Sequence, residues 1–273
     1  MTSGSIWKQM TFFAMPIFLG NLFQQLYNTV DSLIVGNFLG SSALAAVSSS
    51  GSLIFMLIGF LSGISAGAGV IVARFFGAGD EKNLQRAVHT TVAFGLVAGV
   101  LMTGVGVALS PQILRWMDTP ESVMRESVTY LQIYFAGSLG FVMYNVLVGI
   151  LQAVGDSRHP LYYLIVSSVI NLVLDLLFIT GFHTGVGGAA VATVISQIVS
   201  ALLCCCQLLR TKESYGLKIR KIRFDKGILV QIIKIGLPSG VQNSIIAFAN
   251  VIVQSNINAF GEMAMAGYGA YTK

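Results

Sequence analysis

Long apolar runs alternate with short polar breaks along the chain. Seven runs reach the roughly 20 residues that a membrane-crossing helix needs. They cover about 10–37, 43–75, 85–109, 122–153, 160–180, 187–209 and 229–260, and an eighth begins near Ala264. Within several runs the polar residues return at helical spacing. In the first, Asn21, Gln24 or Gln25, Asn28, Asp31 and Ser32 share one helix face. A carboxylate at that depth in lipid costs a few kcal/mol or more, so Asp31 is expected to face a wet cavity or a partner. A polar stripe that glues helices together is the competing explanation.

The fifth run repeats the pattern with Ser167, Asn171 and Asp175 at i, i+4 and i+8, and the sixth adds Thr193, Ser196, Gln197 and Ser200. The polar faces of runs one, five and six can therefore converge. Two carboxylates with amide and hydroxyl oxygens suit a hard monovalent cation. They equally suit a shared, releasable proton. The fourth run places Tyr130, Tyr134, Phe141, Asn145 and Gln152 on roughly one face, a packing stripe or a cavity wall. Gly59, Gly63 and Gly67 in run two, with Gly95 and Gly99 in run three, are spaced for close helix approach.

Composition fixes the class. Hydrophobic residues make up 55% of the chain and charged residues 10%, against about 25% charged in soluble domains. Mean hydropathy is +0.77. The expected fold is an all-α integral membrane protein. Of the 11 acids, only Asp31 and Asp175 lie well inside apolar runs. The net charge of +5 sits in the breaks, which points to membrane topology and not to nucleic acid. With the N-terminus inside, twelve lysines and arginines fall on the inner side and two, Arg115 and Arg125, outside; Lys234 and Lys273 lie in or near helix ends. A cytoplasmic N-terminus is therefore predicted.

Other features carry less chemistry. Cys204, Cys205 and Cys206 lack a CxxC partner, so they are expected to pack helices, with palmitoylation as the alternative. His89, His159 and His183 are expected at the surface and not as ligands. The stretch MTSGSIWKQM lacks the basic region and cleavage site of a removable leader. The loop 74–86 is glycine-rich and basic, but membrane helices flank it, so it is no phosphate cradle. Its GAGD matches the GxGD of intramembrane aspartyl proteases, but Glu81 and Lys82 put Asp80 at the surface. The basic stretch 210–226 is expected to be a solvated connection, with anionic lipid contact as the alternative. No pore motif repeated about an axis suggests a channel.

The seventh run echoes the first. Pro16, Asn21 and Asn28 match Pro238, Asn243 and Asn250 at an offset of 222, and LGSSALAAVS resembles FGEMAMAGYG at an offset of 221. A unit of six helices repeats in the same orientation, the parallel plan of some secondary transporters. The second copy lacks the acid, since Val253 stands opposite Asp31. The expected organisation is a six-helix lobe over 1–210, a basic cytoplasmic linker over 211–227 and the start of a second lobe over 228–273. Two full units imply about 170 further residues at an offset of 222.

Five motifs in order now carry a family resemblance: MPIFLGNLFQQLYNTVDSLIVGNFLGSSALAAVS, FFGAGDEKNLQRAV, NVLVGILQAVGDSRHP, NLVLDLLFITGFHTGVGGAAVATVISQ and IGLPSGVQNSIIAFANVIV. Together they resemble the multidrug and toxic compound extrusion (MATE) transporters, nearest the DinF-like bacterial branch. The resemblance implies a twelve-helix fold of two six-helix lobes, the second missing its remaining helices here. It implies export of amphipathic organic cations or drugs, coupled to H+ or Na+, from the bacterial inner membrane. It assigns coupling, and any Na+ binding, to Asp31, Asn171, Asp175 and Thr193. Gln24, Asn28, Tyr130, Tyr134 and Asn145 are then expected to line a substrate cavity shared with the coupling ion. No enzyme activity and no cofactor beyond H+ or Na+ is expected. The expected partners are the small organic substrate and membrane lipid. A lipid-linked oligosaccharide flippase of the same superfamily is the alternative. Its pyrophosphate would call for mid-membrane Arg or Lys, which the first six runs lack.

Overall fold

The computed structural model describes residues 5–271. The opening MTSG and Lys273, both used above, lie outside the described residues. Every regular element described is helical. Helix α1 spans Ile6–Leu39 and turns through the single residue Gly40, at φ +88°, into α2, Ser41–Gly77. Helix α3, Glu81–Trp116, begins where the Asp80 carboxylate accepts the Asn83 backbone N–H at 3.1 Å and the Asn83 side-chain amide at 2.7 Å. Those bonds, the backbone one foremost, hold Asp80 below the ordinary carboxylate value.

Residues 122–153, expected as one helix, form two. Helices α4, Glu121–Ala136, and α5, Ser138–Ala153, meet at Gly137 with a bend of 50°. The cause is close approach. A Cβ on Gly137 would run into the Val194 side chain across the bend. The Ser138 hydroxyl beside the break lies 3.0 Å from the Thr103 hydroxyl of α3, a partner outside its own helix. Helix α6, Arg158–Leu176, runs on as a π-helical turn over Leu177–Gly181, and α7 spans Val186–Arg210. After a connection holding a short 3-10 turn, Ile219–Lys221, come α8, Lys226–Asn258, and α9, Glu262–Tyr271.

Five of these helices, α2, α3, α6 with its π turn, α7 and α8, are long and apolar enough to cross a membrane, and the bent α4–α5 pair makes a sixth. Helix α1 has the length of a span, 34 residues, while its amides and Asp31 lower its hydropathy below that of the others. Large apolar side chains stay exposed along the outer faces, among them Phe12, Phe18 and Leu33 of α1 and Ile245, Ile246 and Phe248 of α8. Such a surface suits lipid or a further helix layer.

The glycine ridge of α2 is a seam. A Cβ at Gly63 or Gly67 would collide with the backbone at Gly240 or Gly236 of α8, and Gly59 faces Asn243. Small residues let the two backbones meet, and dispersion between them is what holds apolar helices together where no water is displaced. Beside the seam one apolar cluster joins α2, α3, α5, α7 and α8 through residues such as Val88, Leu147, Leu151, Leu208 and Ile232. Cys204 is buried in it, while Cys206 is exposed.

The connection keeps its lysines and arginines exposed, as expected of a solvated segment, while its backbone is strapped onto α3. Gln85 donates its side-chain amide to the carbonyls of Ser214 and Gly216. The Lys218 N–H donates to His89 Nε2 at 3.1 Å, and the Asp225 N–H donates to the Thr90 hydroxyl at 3.1 Å. His89 is therefore buried, not at the surface, because two backbone segments claim its ring: Nδ1 lies 2.6 Å from the Gln85 carbonyl. His159 is half-buried against Asp156 at 2.6 Å, and His183 is exposed.

The repeat has a geometric counterpart. Gly261, at φ +89°, joins α8 to α9 as Gly40, at φ +88°, joins α1 to α2. The two joints also touch: the Ser42 hydroxyl donates to Glu262 Oε1 at 2.5 Å and the Ser41 hydroxyl does so at 3.3 Å.

Candidate functional site

Three helices bring their polar stripes to one place. Asp175 sits in the last turn of α6 before the π-helical turn, 0% exposed. A π turn at this point is the kind of local irregularity that often accompanies a working residue. With its amide oriented to satisfy both neighbours, Asn171 donates to Asp175 Oδ2 at 2.7 Å and accepts the Thr193 backbone N–H of α7 at 3.2 Å. The Thr193 hydroxyl donates to the Ala189 carbonyl at 3.0 Å and is in hydrogen-bond contact with the Tyr27 phenol of α1. One turn further along α1, the Asp31 carboxyl is in hydrogen-bond contact with that of Asp175. With Tyr27 and Asp31 one turn apart on α1 and within electrostatic range of each other, the side chains of Asp31, Asp175, Asn171, Thr193 and Tyr27 gather in a ring. Two carboxyl groups in contact stay together when a proton or a cation lies between them. The oxygens present are those a hard cation prefers.

Asp31, Tyr27, Ser168 and Asn171 also border a cavity of 200 Å³ between α1 and α6, otherwise lined by apolar side chains such as Phe23 and Val169. A separate, larger cavity of 540 Å³ lies nearer the N-terminal ends of α1 and α6. Its polar wall is Asn21, Gln24, Tyr144, Asn145 and Gln152, and no charged side chain lines it.

The expected cavity residues therefore divide. Gln24 and Asn145 share the larger cavity, where Asn145 donates to the Phe141 carbonyl of its own helix at 2.9 Å. Tyr130 and Tyr134 line neither of the two. They are buried in a second apolar cluster, stacked with centroids 6.5 Å apart, because their face of α4 looks toward the acid pair, and Tyr130 is within electrostatic range of Asp31. Asn28 lines neither cavity; its backbone carbonyl accepts the Ser32 hydroxyl at 3.0 Å. Gln24 of the larger cavity and Asp31 of the smaller one stand seven residues, about 10 Å, apart along α1. Tyr27 is the residue the sequence reasoning missed. Its signal was present, one turn before Asp31 on the same stripe, but a tyrosine among amides reads as packing. No cluster of three or more His, Cys, Asp or Glu occurs among the described residues.

A helical bundle with an acid pair between two of its helices, Asp175 buried and Asp31 half-buried, beside an uncharged cavity, has the build of a secondary transporter lobe. The MatE family model matches residues 16–177. The chain belongs to the MATE family. It is 35% identical over 272 residues to "Probable multidrug resistance protein YoeA" of Bacillus subtilis, covering 97% of this chain and 59% of the relative. It is 25% identical to "Multidrug export protein MepA" of Staphylococcus saprophyticus, covering 97% and 59%. The chain therefore spans about three-fifths of the length of these relatives. Among solved structures, an inward-facing multidrug resistance MATE family transporter of the MOP superfamily superposes with a TM-score of 0.83 at 28% identity, covering 90% of this chain and 56% of that one. A MATE crystal structure in the straight conformation gives 0.84 at 26% identity, covering 97% and 59%.

Proposed function

We propose that the protein is a cation-coupled antiporter that exports amphipathic, often cationic, organic molecules across a bacterial plasma membrane, with its N-terminus in the cytoplasm. The contact between Asp31 and Asp175 carries this reading, since an intramembrane acid pair is costly unless it binds something. The names of the relatives, multidrug resistance and multidrug export proteins, support the substrate class. The lysine and arginine bias supports the orientation. In this mechanism a proton or sodium ion enters the ring at Asp31, Asp175, Asn171 and Thr193. Tyr27 and Asp31 then shift together with α1, which can bend at Pro16, and the neighbouring larger cavity, with Gln24 and Asn145, loses its solute. One entering charge supplies about 2.3 kcal/mol per 100 mV of membrane potential, enough for more than tenfold accumulation.

The test is ethidium flux in proteoliposomes under an imposed proton gradient or an imposed sodium gradient, each alone. Flux is expected to follow one of them, and Asp31→Asn to abolish it at unchanged expression. Ethidium flux unaltered in Asp31→Asn removes Asp31 from the mechanism.

A further inference from the structure

The strap and α3 border a third cavity, of 430 Å³ and open to the surface, at the N-terminal end of α3. Lys82 and Arg86 of α3 and Arg220, Lys221 and Arg223 of the strap line it, against the single carboxylate of Asp225. That carboxylate is already engaged. Its Oδ2 lies 3.7 Å from Arg86, and its Oδ1 accepts the Ile228 N–H at 3.1 Å to start α8. Arg220, Lys221 and Arg223 make no ion pair among the described residues.

These basic side chains are exposed, but the backbone that carries them is fixed: Gln85, His89 and Thr90 clamp the strap on both sides of the 3-10 turn with Arg220 and Lys221, so the charges stay gathered around one cavity. Concentrating positive charge around one cavity is unfavourable until an anion lies in it. The cavity also straddles a boundary. Lys82 is in the first turn of α3, and Thr90 lies about 12 Å further along the helix axis. After a buried stretch from Thr90 to Ala93, the same side of α3 turns apolar and exposed at Leu96, Val97 and Val100. A group that is anionic at one end and greasy at the other matches both halves.

We propose that this cavity binds a phosphate group, and that the phosphate is the headgroup of an anionic phospholipid whose acyl chains lie along the exposed ridge of α3. Bound there, the lipid bridges α3 and the strap and fixes the entry to α8 at the headgroup layer. The site shares no residue with the acid ring or with the larger cavity.

The experiment titrates a short-chain phosphatidylglycerol onto the detergent-solubilised protein and reads binding by thermophoresis, with phosphatidylcholine and inorganic phosphate as separate arms. Phosphatidylglycerol is expected to saturate and phosphatidylcholine to give no binding. R220Q/K221Q/R223Q is expected to weaken phosphatidylglycerol binding about a hundredfold, from about 1 kcal/mol per basic side chain. R115Q/R125Q, which removes charge at the opposite end, is expected to leave it unchanged. Arg220→Gln alone, on an exposed turn, keeps the test open if the triple variant does not fold, with about a fivefold loss expected. Inorganic phosphate that displaces the lipid at millimolar concentration upholds the phosphate site and moves its source to a soluble phosphate compound. Equal affinity for phosphatidylcholine, or equal phosphatidylglycerol binding by R220Q and wild type, overturns the proposal.

Discussion

Helices α1 and α8 carry prolines and asparagines at one constant offset, Pro16 with Pro238 and Asn21 with Asn243, yet their polar residues meet different surroundings. In α8 they brace. Asn243 donates to the Gly59 carbonyl at 3.3 Å. Gln254 and Asn258 are buried, and Asn258 donates to the Met117 carbonyl at 2.9 Å and the Ser49 hydroxyl at 3.4 Å. In α1 the polar residues are more open. Asn21 and Gln24 are exposed at the larger cavity, while Tyr27 and Asp31 enter the ring with α6 and α7. Backbone packing divides the same way. Gly236 and Gly240 sit against the backbone of α2, whereas Gly20 of α1 meets only Leu161 and Leu164 side chains, at 3.8 Å. One copy of the pattern is braced against its neighbours, and the other is left the room that the proposed cation exchange would use.

The sharpest way to break this contrast is to move the acid. Asp31→Asn combined with Val253→Asp transfers it to the repeat-equivalent position, which is 44% exposed and faces no second carboxylate. Proteoliposome flux is expected to fall at least a hundredfold and not to recover. Next in size, Gly67→Leu drives a side chain into the α8 backbone. Thermal unfolding in detergent should show a loss of about 3 kcal/mol. Asn258→Ala strands the buried Met117 carbonyl, and the same measurement should register about 2 kcal/mol, with flux retained. Smallest of all, Gly20→Ala adds a methyl where the nearest atoms lie at ordinary contact distance, and stability should stay within about 0.5 kcal/mol. A large loss from Gly20→Ala, or none from Gly67→Leu, erases the distinction between the two helices.

Much of the acid ring could be read in the sequence, because Asn171 and Asp175 lie four apart and Asp31 is the one acid on its stripe. Local periodicity states which side chains share a face. It does not state how two helices approach. The Gly137 bend depends on Val194, 57 residues away, and nothing in 122–153 alone demands it. The strap was hidden for the same reason. Basic residues in a connection say that its side chains meet solvent, which they do, but not that Gln85, His89 and Thr90 take its backbone groups. The axial distance between Gln24 and Asp31 along α1 is likewise collapsed by a helical wheel onto one face.

The clamp between α3 and the chain entering α8 also has a mechanical consequence. A connector tied down as far as Asp225, itself the first cap of α8, has no slack to absorb a tilt. Any rocking of α8 must swing about that fixed point, like a lever on a pin. At the far end its travel is greatest, and there Glu262 reaches across to Ser41 and Ser42, so a small rotation at the pinned end is read out as making or parting that distant catch.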